Sequence, residues 1–317
     1  MKVVVTFPIP PPAKNLLSQH AELVCWDSED RIPKGILADW LETADGLLTT
    51  LNCSIDEGLL ASTSRLRVIS TVSVGVDHID VQAAVARGIA VGHTPGVLTG
   101  STADLALALM LGVSRRVAEG DALIRSGAWS EGWKPNFLLG TDLSASTVGL
   151  IGMGPIGQAV AARLQGFGSR VIAWNRSQKV VKGVEFVDLD DLLQTSDIVS
   201  LHTALTPETA GMITRERLSK MKDGAILINT ARGALVDEAA LIKELRAHRL
   251  RAGLDVFVDE PLPNDSEFRQ LTGCVLLPHV GSATARTRQA MLELALKNLI
   301  AGLQDAELPA GQVGRFA

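Results

Sequence analysis

Ser146-Thr147-Val148-Gly149-Leu150-Ile151-Gly152-Met153-Gly154-Pro155-Ile156-Gly157 is the stretch whose reading decides the fold. Its first six residues form a short apolar, β-branched run that reads as a strand. Residues 158–168, QAVAARLQGFG, continue it as a helix. Gly-x-Gly-x-x-Gly set between a strand and a helix is the dinucleotide-binding fingerprint in its required context. Gly152 supplies the tight turn and Gly154 lets the backbone approach a pyrophosphate. Gly157 lets helix and strand pack closely, and the helix N-terminus faces the anion. The next strand ends at Asn175, where an NAD-binding chain usually carries Asp or Glu for the ribose hydroxyls. An acid there repels a 2′-phosphate. Asn175 is neutral, and the following Arg176 and Ser177 can donate to phosphate oxygens, so the expected cofactor is NADP(H).

The same alternation extends to both sides. Upstream, VVVTF (3–7), ELVCW (22–26), GLLTT (46–50), RVIST (67–71) and IAVGH (89–93) read as strands, with helical patterns such as ILADWLETA and DVQAAVARG between them. Residues 101–127 read as one long helix, with Ser101 or Thr102 as its cap and Gly127 at its end. Downstream come RVIAWN, DIVSLH, AILINTA, AGLDVF and CVLLPH, then a last long helix, ATARTRQAMLELALKNLIAGL. Such alternation predicts an α/β protein of two doubly wound parallel-sheet domains. Residues 100–285 are expected to form a Rossmann-type nucleotide domain, and 1–99 with 286–317 a flavodoxin-like substrate domain. Residues 127–146 lack periodicity, and a loop of that length is usually functional or an arm to a partner.

Bulk properties narrow the function. With 46% hydrophobic and 21% charged residues the 317-residue chain suits a globular protein with room for two cores. A net charge of −5 without a basic patch argues against nucleic-acid binding. No run of about 18 apolar residues suggests a membrane span, and MKVVVTFPIPPP lacks the form of a secretory signal. Cys25, Cys53 and Cys274 are far apart and in no CxxC pair, so neither a disulfide framework nor a metal site is expected, and a cytoplasmic setting fits.

A carbonyl reductase needs a proton donor. The chain has no tyrosine, and its cysteine pattern argues against a zinc alcohol dehydrogenase, which leaves histidine. His279 stands out among His20, His78, His93, His202, His248 and His279 because it follows the strand CVLLP, at the edge where α/β sheets bind ligands. Asn229-Thr230-Ala231-Arg232-Gly233 follows the strand AILI, and Glu260 follows GLDVF. An arginine, a glutamate and a histidine thus stand at three strand ends.

With these motifs the chain resembles the D-2-hydroxyacid dehydrogenase family over essentially its full length. The resemblance rests on STVSVGVDHID, RGIAVGHTPGVLT, GLIGMGPIG, NTARGALVDE, GLDVFVDEPL and LPHVGSAT. Within the family the chain is most similar to glyoxylate/hydroxypyruvate reductases and the kindred 2-ketoaldonate reductases. The resemblance implies that Arg232 binds the substrate carboxylate and polarises the C2 carbonyl. It implies that His279 donates the proton and that Glu260 pairs with it and favours the imidazolium. Val74 and Gly75 would offer backbone N–H groups to the carboxylate. Val74, Asn52 and Trp133 are the candidates for reading the substrate's far end, Trp133 by reaching the partner's substrate pocket. Asp255 would help place the nicotinamide carboxamide. The cofactor-binding set would further include Thr102, Gly152, Gly154, Pro155, Ile156, Gly157, Asn175, Arg176, Ser177, His202, Pro207, Thr230, Ala231, His279 and Gly281.

The chain departs from the family at three places. Pro155 replaces a frequent arginine; it suits a first helical turn but offers a phosphate nothing. Asp104 stands where glutamate is more usual, and Ala204 replaces a proline in the adenine pocket. The expected reaction is NADPH-dependent reduction of glyoxylate and hydroxypyruvate to glycolate and D-glycerate. A 2-ketogluconate-type reductase is the alternative enzyme, and a nucleotide-sensing corepressor is the alternative outside enzymes. Trp129, Trp133 and Phe137 in the aperiodic stretch point to a homodimer in which each arm wraps its partner.

Overall fold

In the computed structural model the chain is described at residues 1–130, 132–177, 179–309 and 311–313. It divides into two units, Met1–Leu98 with Thr284–Ala317, and Thr99–Ala283.

The first unit alternates β1 (Lys2–Val5), α1 (Pro11–Ser18), β2 (Glu22–Cys25), α2 (Lys34–Leu41), β3 (Gly46–Thr49), α3 (Glu57–Ala61), β4 (Val68–Thr71), α4 (Val81–Ala86) and β5 (Ala90–Gly92). These strands are parallel in the order β5-β4-β3-β1-β2. That is the flavodoxin-like order, reversing beside β1. Every residue of β3 and β4 is buried, as helices on both faces of a parallel sheet require.

The second unit runs α5 (Thr99–Ser114), α6 (Val117–Arg125), β6 (Thr147–Ile151), α7 (Pro155–Phe167), β7 (Arg170–Trp174), β8 (Glu185–Phe186), α8 (Leu189–Thr195), β9 (Ile198–Leu201), α9 (Arg215–Lys220), β10 (Ile226–Asn229), α10 (Glu238–Arg246), β11 (Arg251–Leu254) and β12 (Cys274–Leu276). All seven strands are parallel, in the order β12-β11-β10-β9-β6-β7-β8. Counted from β6 this is the Rossmann winding, with its switch point between β6 and β9.

The single helix expected over 101–127 is two helices. The chain turns at Arg116, whose backbone is left-handed (φ 55°). The cause is competition for a carbonyl. Thr141 N–H donates to Ser114 O at 2.9 Å, and Gly140 lies so close that an added Cβ would stand 2.3 Å from the same oxygen. The returning segment thus occupies the acceptor another turn of helix would use. Neither Ser101 nor Thr102 caps α5, which already begins at Thr99. Gly127 does sit beyond the end of α6 with φ 70°.

Acidic and hydroxyl side chains start several helices. Asp56, Asp80, Thr214 and Asp237 each accept the backbone N–H three residues on, satisfying donors that the helix leaves open. Thr284 does the same for α11 (Ala285–Leu303). This helix returns to the first unit and packs on β3 and β4. Contact there is backbone-close: a Cβ on Gly302 would lie 2.5 Å from Val68 Cγ2. β13 (Gln312–Val313) then pairs antiparallel with β5. Neither β13 nor β8 was foreseen, since two-residue strands carry no period to read.

Candidate active site

The glycine loop is shaped by what surrounds each glycine. Gly152 has φ 99°, and a Cβ on it would lie 2.7 Å from the His202 carbonyl carbon. A Cβ on Gly157 would lie 2.1 Å from Gly152 O, whereas one on Gly154 meets nothing within 4 Å. Two glycines therefore permit packing and the middle one faces open space. Gly154 is also the N-cap of α7, which no side chain caps and in which Pro155 holds the first position. The amides of Ile156 and Gly157 follow in its first turn. This open, uncapped N-terminus beside bare backbone fits a dinucleotide pyrophosphate.

The loop is held by the end of β7. Asn175 Oδ1 accepts from Met153 N–H at 2.9 Å, and Asn175 Nδ2 donates to Ser177 O and Oγ. Arg176 is exposed. Lys179 Nζ and Gln158 Nε2 both donate to Met153 O, at 2.8 and 2.9 Å; sequence reading had singled out neither. Across the loop, His202 lies within hydrogen-bond distance of Ser200 Oγ through Nε2. Its Nδ1 is covered and without a partner, and burial pushes the imidazole down to about 4, so the ring is neutral at pH 7. Pro207 is exposed on the turn that Thr209 closes onto Ala204 O. Asp104 pairs with Arg163 at 2.6 Å and so joins α5 to α7.

Three neighbouring strand ends carry Arg232, Glu260 and His279. After β10, Asn229 folds its own loop: Oδ1 accepts from Ala231 N–H and Nδ2 donates to Arg232 O. Thr230 Oγ1 is covered and without a partner, while Arg232 Nη1 donates to Ala231 O. After β11, Glu260 Oε1 accepts from Phe257 N–H at 2.9 Å. After β12, His279 places Nδ1 2.6 Å from Glu260 Oε2. Burial acts to raise the Glu260 carboxyl. The His279 hydrogen bond, the Phe257 N–H and the charges of His279 and Arg232 outweigh it and hold the group below its usual range. Glu260 is therefore an ionised carboxylate at neutral pH.

His279 has a left-handed backbone (φ 55°), uncommon outside glycine though tolerated by histidine. Asp255 fixes it there. The Asp255 carbonyl accepts from His279 N–H at 2.9 Å. Its carboxylate accepts from Val280 N–H and Gly281 N–H, both at 2.8 Å. Thr102 Oγ1 donates to Gly281 O at 3.2 Å. Asp255 is 1% exposed, and burial pushes its carboxyl up despite those two amides. The resemblance implies a cofactor role for Asp255; what the structure shows is its hold on the His279 loop, which spacing alone does not reveal. Gly233 joins the other two loops. A Cβ there would lie 2.0 Å from the Phe257 carbonyl carbon.

In the first unit, Val74 and Gly75 lie on the loop after β4. Their carbonyls are engaged by His93 Nδ1 and Ser73 Oγ, both at 2.7 Å. Asn52 is exposed on the loop after β3. Trp133, in the second unit, is 85% exposed. Among the described residues no cluster of His, Cys, Asp and Glu could hold a metal ion, and no helix is long and apolar enough to cross a membrane.

Known proteins share this architecture. The family model described as D-isomer specific 2-hydroxyacid dehydrogenase, NAD binding domain, matches residues 107–281. The glyoxylate reductase of Thermococcus litoralis is 44% identical, over 99% of this chain and 97% of its own length. A Thermus thermophilus protein of known structure superposes with a TM-score of 0.92 at 48% identity, covering 99% of this chain and 100% of that one. The NADPH-dependent glyoxylate/hydroxypyruvate reductase of Sinorhizobium meliloti, solved with NADP and malonate, gives 0.89 at 31% identity, covering 99% and 97%.

The glycine geometry generates a paired prediction. Gly233→Ala forces two backbones apart and should lower the unfolding free energy by roughly 1–3 kcal/mol, the usual cost of overpacking. Gly154→Ala meets open space and should leave stability unchanged or slightly raised, while weakening dinucleotide binding. Urea denaturation and cofactor titration of both variants check this. A destabilised Gly154→Ala, or a Gly233→Ala as stable as the parent, contradicts the assignment.

Proposed function

The chain belongs to the D-isomer specific 2-hydroxyacid dehydrogenase family, and from that premise we propose that it reduces glyoxylate and hydroxypyruvate to glycolate and D-glycerate with NADPH. The observation that carries the reading is the 2.6 Å pair of His279 Nδ1 with Glu260 Oε2, with Arg232 on the adjoining loop. The names and ligands of the relatives support the substrate class. The nicotinamide, when bound, supplies the hydride. Arg232 binds the substrate carboxylate and polarises the C2 carbonyl. His279 is fixed through Nδ1 and donates a proton to the C2 oxygen from Nε2, which has no partner among the described residues. Glu260 stabilises the imidazolium that gives up this proton. Val74 and Gly75 offer amides that suit a carboxylate. Residues 1–99 and 286–317 are assigned to the substrate and 100–285 to the cofactor, and the setting to the cytoplasm, where the three free cysteines stay reduced.

NADP(H) is favoured because no acid stands at the end of β7. Asn175 presents a neutral amide there, with Arg176 and Ser177 beside it. The chain is also proposed to be a twofold homodimer. Trp129, Trp133, Phe137 and Leu139 are all exposed on one aperiodic stretch, and α6, just before it, buries none of its residues. Apolar surface gathered in this way usually awaits a partner.

Initial rates across glyoxylate, hydroxypyruvate, pyruvate and 2-ketogluconate, each with NADPH and NADH, test the activity. Highest kcat/KM is expected for the first two substrates with NADPH. A top rank for 2-ketogluconate replaces the substrate reading, and equal efficiency with both cofactors defeats the cofactor reading. Arg176→Ala should weaken NADPH binding by about 1.5–3 kcal/mol, as for a charge-assisted hydrogen bond.

His279→Ala should lower kcat by roughly 10²–10⁴, the usual worth of a general acid. Glu260→Gln keeps the hydrogen bond but removes the charge that favours the imidazolium. Reduction consumes that proton, so the alkaline limb of its rate profile should move to lower pH. An unmoved limb would remove Glu260 from the acid–base pair.

Sedimentation should show a dimer. Trp133→Ala should reorder the keto-acid ranking while leaving NADPH binding nearly intact. A fully active monomer at micromolar concentration ends the dimer proposal, and an unchanged ranking removes Trp133 from the pocket.

A further inference from the structure

We propose that Lys179 is a second cation for the cofactor's 2′-phosphate, acting with Arg176; the inference rests on the NADP(H) reading above. Met153 is gripped on both sides by the loop that follows β7. Its N–H goes to Asn175 Oδ1, and its carbonyl receives Lys179 Nζ at 2.8 Å. The adenosine ribose of a dinucleotide lies at the end of that strand, where Asn175 stands. The Lys179 ammonium is therefore held against the same residue of the glycine loop that marks the ribose end of the site.

Local bonding leaves this ammonium available. Of its three donors, one serves Met153 O, and no carboxylate pairs with it among the described residues. The Met153 carbonyl also receives Gln158 Nε2 at 2.9 Å, so it keeps a partner if Lys179 turns away. Asn175 cannot take over the task. Its amide already bridges Met153 N–H to Ser177. Arg176 has a competitor in Glu208, whose carboxylate feels the Arg176 charge while the Thr206 hydroxyl holds it at 2.7 Å. One exposed guanidinium with a carboxylate in its vicinity is a weak site for a dianion. A second cation beside the ribose position restores the charge balance.

The alternative is a lysine that only pins two loops together. Calorimetric titration separates the two, using NADPH and NADH with the wild type, Lys179→Met and Lys179→Arg. Loss of the ammonium should weaken NADPH about tenfold or more, as for a charge-assisted hydrogen bond, and leave NADH within about twofold. Lys179→Arg should recover most of the loss, and the salt dependence of NADPH binding should be shallower in Lys179→Met. Equal weakening of both nucleotides, or no weakening of NADPH in a protein that prefers it, overturns the inference. A wild type that binds both nucleotides equally overturns the underlying cofactor reading instead.

Discussion

At Gly233 the backbone after β10 runs against the backbone after β11 at a separation that leaves no room for a methyl group. The placement of Arg232, Glu260 and His279 in the second unit depends on that contact. On one side of it the Asn229 side chain folds the loop that carries Arg232. On the other, the Phe257 N–H orients Glu260, which in turn orients His279. A guanidinium, a carboxylate and an imidazole are brought together by backbone packing, and their charges then tune one another. A carboxylate this buried would ordinarily resist ionisation; the hydrogen bonds from His279 and the Phe257 N–H, with the neighbouring charge of Arg232, reverse the outcome.

The anion-binding half obeys the same economy of atoms. Gly152 and Gly157 are small because protein lies against them, and Gly154 is small because nothing does. The first two are requirements of folding, and the third leaves the loop backbone bare. His202 closes the far side as a neutral ring, so it adds no charge beside the glycine loop and leaves the electrostatics there to the β7 loop and Glu208.

Much of this was legible in the sequence. The glycine motif, the strand alternation and the three residues at strand ends each have a local signature, and both sheets take the order that such alternation implies. What escaped reading depends on contacts distant in sequence. The break at Arg116 arises because Gly140 and Thr141, some two dozen residues on, take the Ser114 carbonyl. The hold of Asp255 on Val280 and Gly281 is of the same kind. Lys179 was passed over because it stands beyond the motif that drew attention to Asn175. β8 and β13 are too short for any period to mark them.

The path of the chain through its two units also bears on how the protein is made. Residues 99–283 form one unbroken run, whereas the other unit is built from segments on both sides of it, with α11 laid on β3 and β4. Domains generally fold as units, the N-terminal one first, during synthesis. Here the order is inverted. The strands of the first sheet are made before the second unit but lack the helix that covers one face, and the tight seat of Gly302 on Val68 cannot form until α11 has followed. The nucleotide-type unit is complete sooner, so the nascent chain carries a finished domain behind an unfinished one, with an apolar sheet face in need of shelter until α11 emerges.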